Sequence, residues 1–364
     1  MSDPENNGSS KRVRVAAIPG DGIGPEVVSA TIPVLRRAAE LDGVVVDVHE
    51  LDWGGDRYLR AGEAMPADAG DQLRRDADAA LFGAVGRPDI PHKVSSWGLI
   101  LPLRRELGLY ANVRPIRAWE GVPAVVAGAG DVDLVVLREN SEGEYADIGG
   151  RITPTLGSQV AVEVAVHTRE GIERIVRHGF ELARRRRRQL TVATKSNALR
   201  HGYTLWDEVV ADVAPQFAEV SFELVLVDAL AARMVQRPRT LDVVVASNLF
   251  GDILSDLASV LGGGLGMAPS ANVRPSGGAP GLYEPVHGSA PDIAGQGVAN
   301  PTACLLSAAM LLEDLDAPVG AAAIRAAVGT ALADAHARTP DLGGEATTVV
   351  FADRVLRALE GVAV

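Results

Sequence analysis

Apolar and polar positions along this chain switch repeatedly between two patterns, and the switching predicts the class of fold before any single residue is considered. Short apolar runs suited to buried strands occur at VRVAAIPG, VVVDVHEL, AALFGAVG, VDLVVLRE, QLTVATKSN, VSFELVLVD and LDVVVASN. Helical patterns lie between many of them, and the first is opened by Pro25 in its first turn, where a missing N–H costs nothing. Strands alternating with helices predict an α/β protein with a large, mostly parallel sheet. No internal repeat or low-complexity linker interrupts the pattern beyond the polar tail MSDPENNGSSKR.

Composition narrows the class. A chain of 364 residues can bury a large core and is expected to divide into two lobes. Apolar residues at 47% and charged residues at 23% are ordinary for a soluble globular protein. The single cysteine, Cys304 in TACLLSAAMLL, has no partner for an intramolecular disulfide and reads as a small core residue, which fits a reducing compartment. The tail lacks an apolar signal core, and no uncharged apolar stretch reaches the roughly 18 residues that a membrane span needs. A cytoplasmic protein without membrane contact is therefore expected. A net charge of −12 argues against nucleic acid as a partner. The run Arg184 to Arg188 ends the helical pattern GIERIVRHGFELARRRRR and reads as a solvated helix terminus, where cations complement the dipole.

The first loop, GDGIGPE from Gly20 to Glu26, invites comparison with the Rossmann fingerprint but does not fit it. In that fingerprint the third glycine comes three residues after the second and an acidic residue follows about 20 positions on. Here Gly24 is two residues after Gly22, and Pro25 occupies the helix start. A tight turn lining some other pocket is expected.

The run SNLFGDILSDLASVLGGGLG is more informative, because Asp252 and Asp256 stand four residues apart on what should be one helix face. On a solvated helix such a pair costs little and needs no explanation. This run is apolar, however, and follows LDVVVASN at a strand-to-helix turn, where open α/β sheets gather their ligands. Two hard carboxylates in such a place suit Mg²⁺ or Mn²⁺. Arg104 and Arg114 in LPLRRELGLYANVRPIR and Arg138 in VVLRENSEGEY add forks that pair with carboxylates, so a substrate carrying two carboxylates fits beside a metal.

GDGIGPE, RENSEGEY, ATKSNALR, the SNLFGDILSD run and EPVHGSAPDIAGQGVANP occur in this order over nearly the whole chain. Together they resemble the metal-dependent β-decarboxylating dehydrogenases of the isocitrate and 3-isopropylmalate family. The resemblance implies that Arg104, Arg114 and Arg138 clamp a malate-type substrate, and that Asp252 and Asp256 hold Mg²⁺ or Mn²⁺ together with Asp228 of the partner subunit. A monovalent cation is a further candidate. It also implies that Lys195, across a shared homodimer site, assists proton removal and that Tyr145 returns a proton to carbon after loss of CO₂. Taken alone, Lys195 suits a surface lysine and Tyr145 an interface aromatic.

The same resemblance assigns HGSAPDIAGQGVANP to the dinucleotide. Asp292 would accept hydrogen bonds from a free adenosine ribose and repel a 2′-phosphate, which predicts NAD. Ile293 and Asn300 would line the adenine side, with His287, Gly288 and Ser289 near phosphate and ribose. Substrate choice falls to VSSWGLILPLRR, in which Trp97, Ile100 and Leu101 would face the C3 substituent. Gly98 and Ile100 stand where isocitrate enzymes present serine and asparagine, so a third carboxylate lacks polar partners. The segment WGLILPLRR with RENSEGEY and ADIGGR most resembles the tartrate and D-malate dehydrogenase branch. Trp97 either fills the volume an isopropyl group takes elsewhere or packs against the nicotinamide and leaves room for alkylmalates, so 3-isopropylmalate or another 3-substituted malate remains open. A non-catalytic regulatory subunit is the reading from another class, and it expects loss of the catalytic residues that this chain retains. The implied fold is two-lobed with a cleft between lobes: residues 1–109 and 263–364 form the NAD-binding lobe, and 110–262 form the second lobe, which carries the dimer interface and the metal aspartates.

Overall fold

The computed structural model describes residues 11–126, 129–153 and 157–361. Its strands are β1 (Lys11–Gly20), β2 (Val44–Glu50), β3 (Ala79–Ala84), β4 (Ala111–Arg117), β5 (Asp133–Glu139), β6 (Gly149–Ile152), β7 (Val160–Glu163), β8 (Gln189–Thr194), β9 (Ser221–Leu226), β10 (Val243–Ala246), β11 (Pro269–Val273) and β12 (Gly281–Pro285). Ten of them form one sheet in the order β2-β1-β3-β12-β11-β4-β5-β10-β8-β9, and β6 with β7 forms a separate antiparallel ribbon. Pairing is parallel from β2 to β12 and again from β5 to β9. The three pairings in between, β12 with β11, β11 with β4 and β4 with β5, are antiparallel. The two parallel blocks therefore run in opposite directions.

The seven apolar runs of the sequence are seven of the eight strands in the two parallel blocks, β12 being the eighth; the inner ones are covered on both faces and so read as near-continuous apolar stretches, whereas the edge strand β9 is largely exposed. Every residue of β3 and β10 is buried. One face of the first block packs on the helices Gly24–Glu40, Thr302–Asp314, Pro318–Ala333 and Thr348–Glu360, and the other on Trp53, Leu73, Leu99 and Leu103. One face of the second block packs on Arg169–Arg185 and Gly202–Val213, and the other on Val227–Gln236 and Asn248–Leu261. Trp206 and Phe180 are fully buried there, each contributing about 1.5–3 kcal/mol by removal from water.

The central strands β4, β11 and β12 carry polar side chains into the interior. Asn112 Nδ2 donates to Ser270 Oγ (2.7 Å) and Asn272 Oδ1 (2.9 Å), and Asn272 Nδ2 donates to Glu284 Oε1 (2.7 Å). Asn140 joins through a 2.9 Å bond to Asn272 Oδ1. Their amide N–H groups find acceptors across the strands where the sheet changes direction, which offsets part of the cost of burying them, while Asn112 Oδ1 and Asn140 Oδ1 have no partner among the described residues.

Two sequence expectations take sharper form. The arginine run does end the helix Arg169–Arg185, but Arg186 is not simply solvated: it bonds Asp133 Oδ1 and the buried Asp242 Oδ1, each at 2.8 Å, and so pins the helix terminus to β5 and to the entry of β10. Cys304 is buried in the helix Thr302–Asp314, and burial pushes its thiol up to about 12, which suits a core residue. Among the described residues no helix is long and apolar enough to cross a membrane.

Candidate active site

Three arginines reach one place from three elements. Arg114 lies on β4, on the sheet face opposite Val113; Arg138 lies near the carboxyl end of β5; Arg104 lies in the last turn of the short helix Leu101–Glu106. The helix Asn248–Leu261, which starts just past β10, presents Asp252 and Asp256 toward them. Gly251 makes this approach feasible, because a Cβ there would meet Cβ and Cγ of Arg138. Arg138 ion-pairs Asp252 through Nη1 and donates to Asn248 Oδ1 from Nε (2.9 Å) and Nη2 (2.8 Å). Arg114 Nη1 donates to Ser255 Oγ (2.6 Å) and Asp256 Oδ1 (3.1 Å) and lies 3.5 Å from Asp252. Arg104 Nη2 donates to Glu284 Oε1 at 2.8 Å.

The three cations are thus balanced by Asp252, Asp256 and Glu284. Such balance is the condition for burying guanidinium groups at all. Burial still lowers the pKa of Arg138, to about 10, and of Arg114, with Asp252 opposing the shift in both cases. The carboxyl of Asp256 is raised, first by burial and then by Asp252, against the pull of Arg114. Two donors remain open: Arg104 Nε and Arg114 Nε are buried with no partner among the described residues. Unfilled donors on paired forks fit a ligand that brings carboxylates of its own.

Tyr145 enters from the RENSEGEY segment, its hydroxyl donating to Asp252 Oδ2 at 3.1 Å and its ring 5.5 Å from the Arg138 guanidinium carbon. Burial and Asp252 both raise its hydroxyl pKa, so it stays protonated at neutral pH. Glu139 shapes the turn before it by accepting from Ser141 N (3.0 Å), Ser141 Oγ (2.6 Å) and Glu142 N (2.7 Å). Neither Glu139 nor Glu284 was singled out from the sequence; isolated acids inside polar motifs give no signal of being buried organisers.

Lys195 and Asp228 are together but elsewhere. Lys195 Nζ donates to Asp228 Oδ1 at 2.6 Å, the carboxyl being held below its ordinary range mainly by that bond, and the pair stands exposed. No hydrogen bond or ion pair among the described residues joins it to the arginine–aspartate cluster of the same chain. Asp252 and Asp256 supply two hard oxygen ligands on one helix face, as a divalent cation requires, and no third His, Cys, Asp or Glu completes a cage among the described residues.

The segment that carries Trp97 holds a feature unseen in the sequence. Ser96–Ile100 is a π-helical turn between the helices His92–Ser95 and Leu101–Glu106, closed by Leu101 N–H to the Ser96 carbonyl. Such one-turn widenings gather at functional sites. Trp97 and Gly98 line a cleft of about 880 Å³ together with Tyr58, Lys93, Arg105 and Asp147. Ile100 is only 8% exposed and packs in the core with Trp53 and Leu99, whereas Leu101 lies at the core's margin.

The GDGIGPE loop packs against and supports the HGSAPDIAG loop. Gly22 sits at φ +60°, a Cβ there would overlap the Ser289 carbonyl, and Ile23 N donates to that carbonyl at 2.9 Å. His287 has its ring held by Nδ1 near the Gly288 carbonyl (2.9 Å), its pKa lowered by burial, and its Nε2 buried without a partner among the described residues. That open ring atom fits a ligand of the loop. Asp292 is exposed and Ile293 half-buried. Asn300 is turned inward: its amide donates to Asp341 Oδ2 (2.9 Å) and its Oδ1 accepts from Thr302 N (3.0 Å). Its side chain therefore holds the loop's exit and starts the next helix.

Residues 14–355 match the family model described as isocitrate/isopropylmalate dehydrogenase. The chain is 47% identical over 355 residues to a probable tartrate dehydrogenase/decarboxylase of Agrobacterium vitis, covering 96% of this chain and 99% of that one. It is 46% identical over 359 residues to the decarboxylating D-malate dehydrogenase of Escherichia coli, covering 96% and 99%. Its fold is similar to the crystal structure of isocitrate dehydrogenase from Methylococcus capsulatus, with a TM-score of 0.86 and 37% identity over 95% of this chain and 99% of that one.

Proposed function

The chain belongs to the isocitrate/isopropylmalate dehydrogenase family and is a decarboxylating dehydrogenase, and from that premise we propose that it oxidises and decarboxylates D-malate or a tartrate, with NAD⁺ and a divalent metal. The observation that carries this reading is the convergence of Arg104, Arg114 and Arg138 on Asp252, with Tyr145 above them and two buried guanidinium N–H groups still open. Bound NAD⁺ would accept hydride from C2, and Mg²⁺ or Mn²⁺ held by Asp252, Asp256 and Asp228 of the partner subunit would polarise the C2 oxygen and the C1 carboxylate.

The chain's own groups do the rest. The arginines exchange part of their pairing with Asp252 and Asp256 for the substrate carboxylates, which fixes C2 and C3 in the cleft. Lys195 of the partner subunit assists removal of the hydroxyl proton as C2 is oxidised. The β-keto acid then loses CO₂, and Tyr145, kept protonated by its surroundings, supplies the proton to C3. Asp292 accepts from the adenosine ribose, which favours NAD over NADP. Exposed Ile148, Ile152, Val160 and Val162 on and beside the β6–β7 ribbon, and Ile253 on the aspartate helix, suit cover by a second copy, as a homodimer with shared sites requires. The two lobes, residues 1–109 with 263–364 and 110–262, would close over the substrate and exclude water. The lone buried cysteine suits the reducing cytoplasm proposed for this chain.

A second reading, oxidation of 3-isopropylmalate or another 3-substituted malate, rests on the apolar Ile100 and Leu101 that follow Trp97 in the sequence, of which Ile100 is buried in the core and Leu101 lies at its margin. NADH formation by the purified chain with Mn²⁺ and NAD⁺ separates the two. Higher kcat/KM for D-malate or a tartrate supports the first reading, higher kcat/KM for 3-isopropylmalate supports the second, and equal use of NADP overturns the role of Asp292.

A further inference from the structure

Arg104 and Arg105 are consecutive and turn opposite ways. Arg104 points inward to Glu284, while Arg105 lies at the surface with its guanidinium carbon 5.0 Å from the Trp97 ring centroid and its Nη2 donating to the backbone carbonyl of Tyr145 at 2.6 Å. One side chain thus touches both the segment that faces the C3 substituent and the segment that carries the proton donor.

The π turn makes this contact geometrically natural. At 3.6 residues per turn, positions eight apart on an α-helix differ by about 80°. Widening the turn at Ser96–Ile100 takes in about one extra residue and brings Trp97 and Arg105 back onto one face. Arginine also suits both tasks at once: its plane stacks on the indole while the N–H groups at its edge donate sideways, which the point charge of lysine does not reproduce. Tyr145 has two further ties, from its hydroxyl to Asp252 and from its ring to Arg138, both inside the cluster. Arg105 holds the backbone of the same residue from outside.

We propose that Arg105 is a positioning residue that couples the fit of the C3 substituent at Trp97 to the placement of Tyr145, an inference that rests on the function proposed above. A substituent that displaces Trp97 also shifts Arg105 and, through it, the Tyr145 carbonyl. Bulk at C3 is then converted into loss of proton delivery, which lowers kcat more than it raises KM.

The test compares Arg105→Ala, Arg105→Lys and the double variant Trp97→Phe with Arg105→Ala, each with Mn²⁺ and NAD⁺ on D-malate and on 3-isopropylmalate, alongside hydrogen exchange of the 141–147 backbone in metal-free protein. Arg105→Ala is expected to lower kcat for D-malate about tenfold with KM changed less than twofold, to narrow the kcat ratio between the two substrates, and to speed exchange across 141–147. Arg105→Lys is expected to recover turnover but not the ratio. Adding Trp97→Phe should narrow the ratio no further, because contacting residues that act together are not additive. Unchanged exchange in Arg105→Ala overturns the proposal whatever the activity, as does an unchanged ratio or strict additivity with Trp97→Phe. If Arg105→Ala fails to fold, the same ratio and exchange are read in Arg105→Lys, where both unchanged overturn it. If the parent turns over neither substrate, the proposed function fails, and exchange alone decides whether Arg105 holds the Tyr145 segment.

Discussion

The cluster around Asp252 and the pair Lys195–Asp228 carry similar charges under opposite conditions. In the first, buried guanidinium groups meet carboxylates from a neighbouring helix, and their pKa values move because water is excluded. In the second, one lysine and one aspartate lie at the surface, and the aspartate shifts chiefly through its bond to the lysine, helped by backbone N–H groups at the start of its own helix. A buried ionic cluster must be complete within its own chain or the fold suffers. An exposed pair can be altered without cost to the fold, so its chemistry depends on whatever comes to cover it. The first is part of the architecture, and the second, under the proposed function, would complete the site of another copy.

The sharpest way to break this comparison is Lys195→Met. Turnover is expected to fall about 10³-fold with the melting temperature nearly unchanged, and full activity would remove Lys195 from the chemistry. Mixing Lys195→Met with Tyr145→Phe, each inactive alone, should restore about a quarter of wild-type activity if sites are shared between copies, since half of the dimers are mixed and each mixed dimer keeps one intact site. No recovery after verified subunit exchange would mean that each chain works alone.

Arg138→Met should behave in the opposite sense. It leaves Asp252 with only the more distant Arg114, at 3.5 Å, as counter-charge and is expected to cost about 2–3 kcal/mol in chemical denaturation, less than a fully buried pair because the Asp252 side chain is 34% exposed. A stability equal to that of the parent would show that the cluster is not structural. Asp292→Lys is expected to leave stability alone while shifting the NAD-to-NADP ratio of kcat/KM by roughly 10- to 100-fold, the worth of a charge-assisted bond or two. An unmoved ratio would take Asp292 out of cofactor choice. The smallest effect concerns pH. Because the folded protein raises the Asp256 pKa, this group adds stability that is fully present below the ordinary carboxylate range and is lost as pH rises through the raised value. Asp256→Asn in metal-free protein should flatten that slope in urea titrations between about pH 3 and 6; an unaltered slope would contradict the burial argument.

Much of this was legible in the sequence, and the illegible parts share a cause. Strands such as AALFGA and VVVA announce themselves because both faces are apolar. β4, β11 and β12 are also mostly buried, yet ANVRPIR, PSANV and GLYEP do not stand out as apolar runs, because their interior positions hold Asn112, Asn272 and Glu284 bonded to one another across strands. Periodicity cannot see a polar residue whose partner lies 160 positions away. The same limit hid Arg105, whose contacts depend on a π turn that no propensity marks. The residues assigned by motif were named without geometry, and the structure brings Arg104, Arg114, Arg138, Tyr145, Asp252 and Asp256 together while leaving Lys195 and Asp228 apart.

Gly22 presses its backbone against the Ser289 carbonyl, so a heavier residue there would push the HGSAPD loop out of place. The opening segment and a loop more than 260 positions later must therefore be inherited together or repaired together. A descendant that had lost Tyr145 and Lys195 and survived only as a support for another chain would still be held to that glycine. The constraint on Gly22 is thus one of construction and not of chemistry, and it would bind a copy that had stopped working as firmly as one that had not.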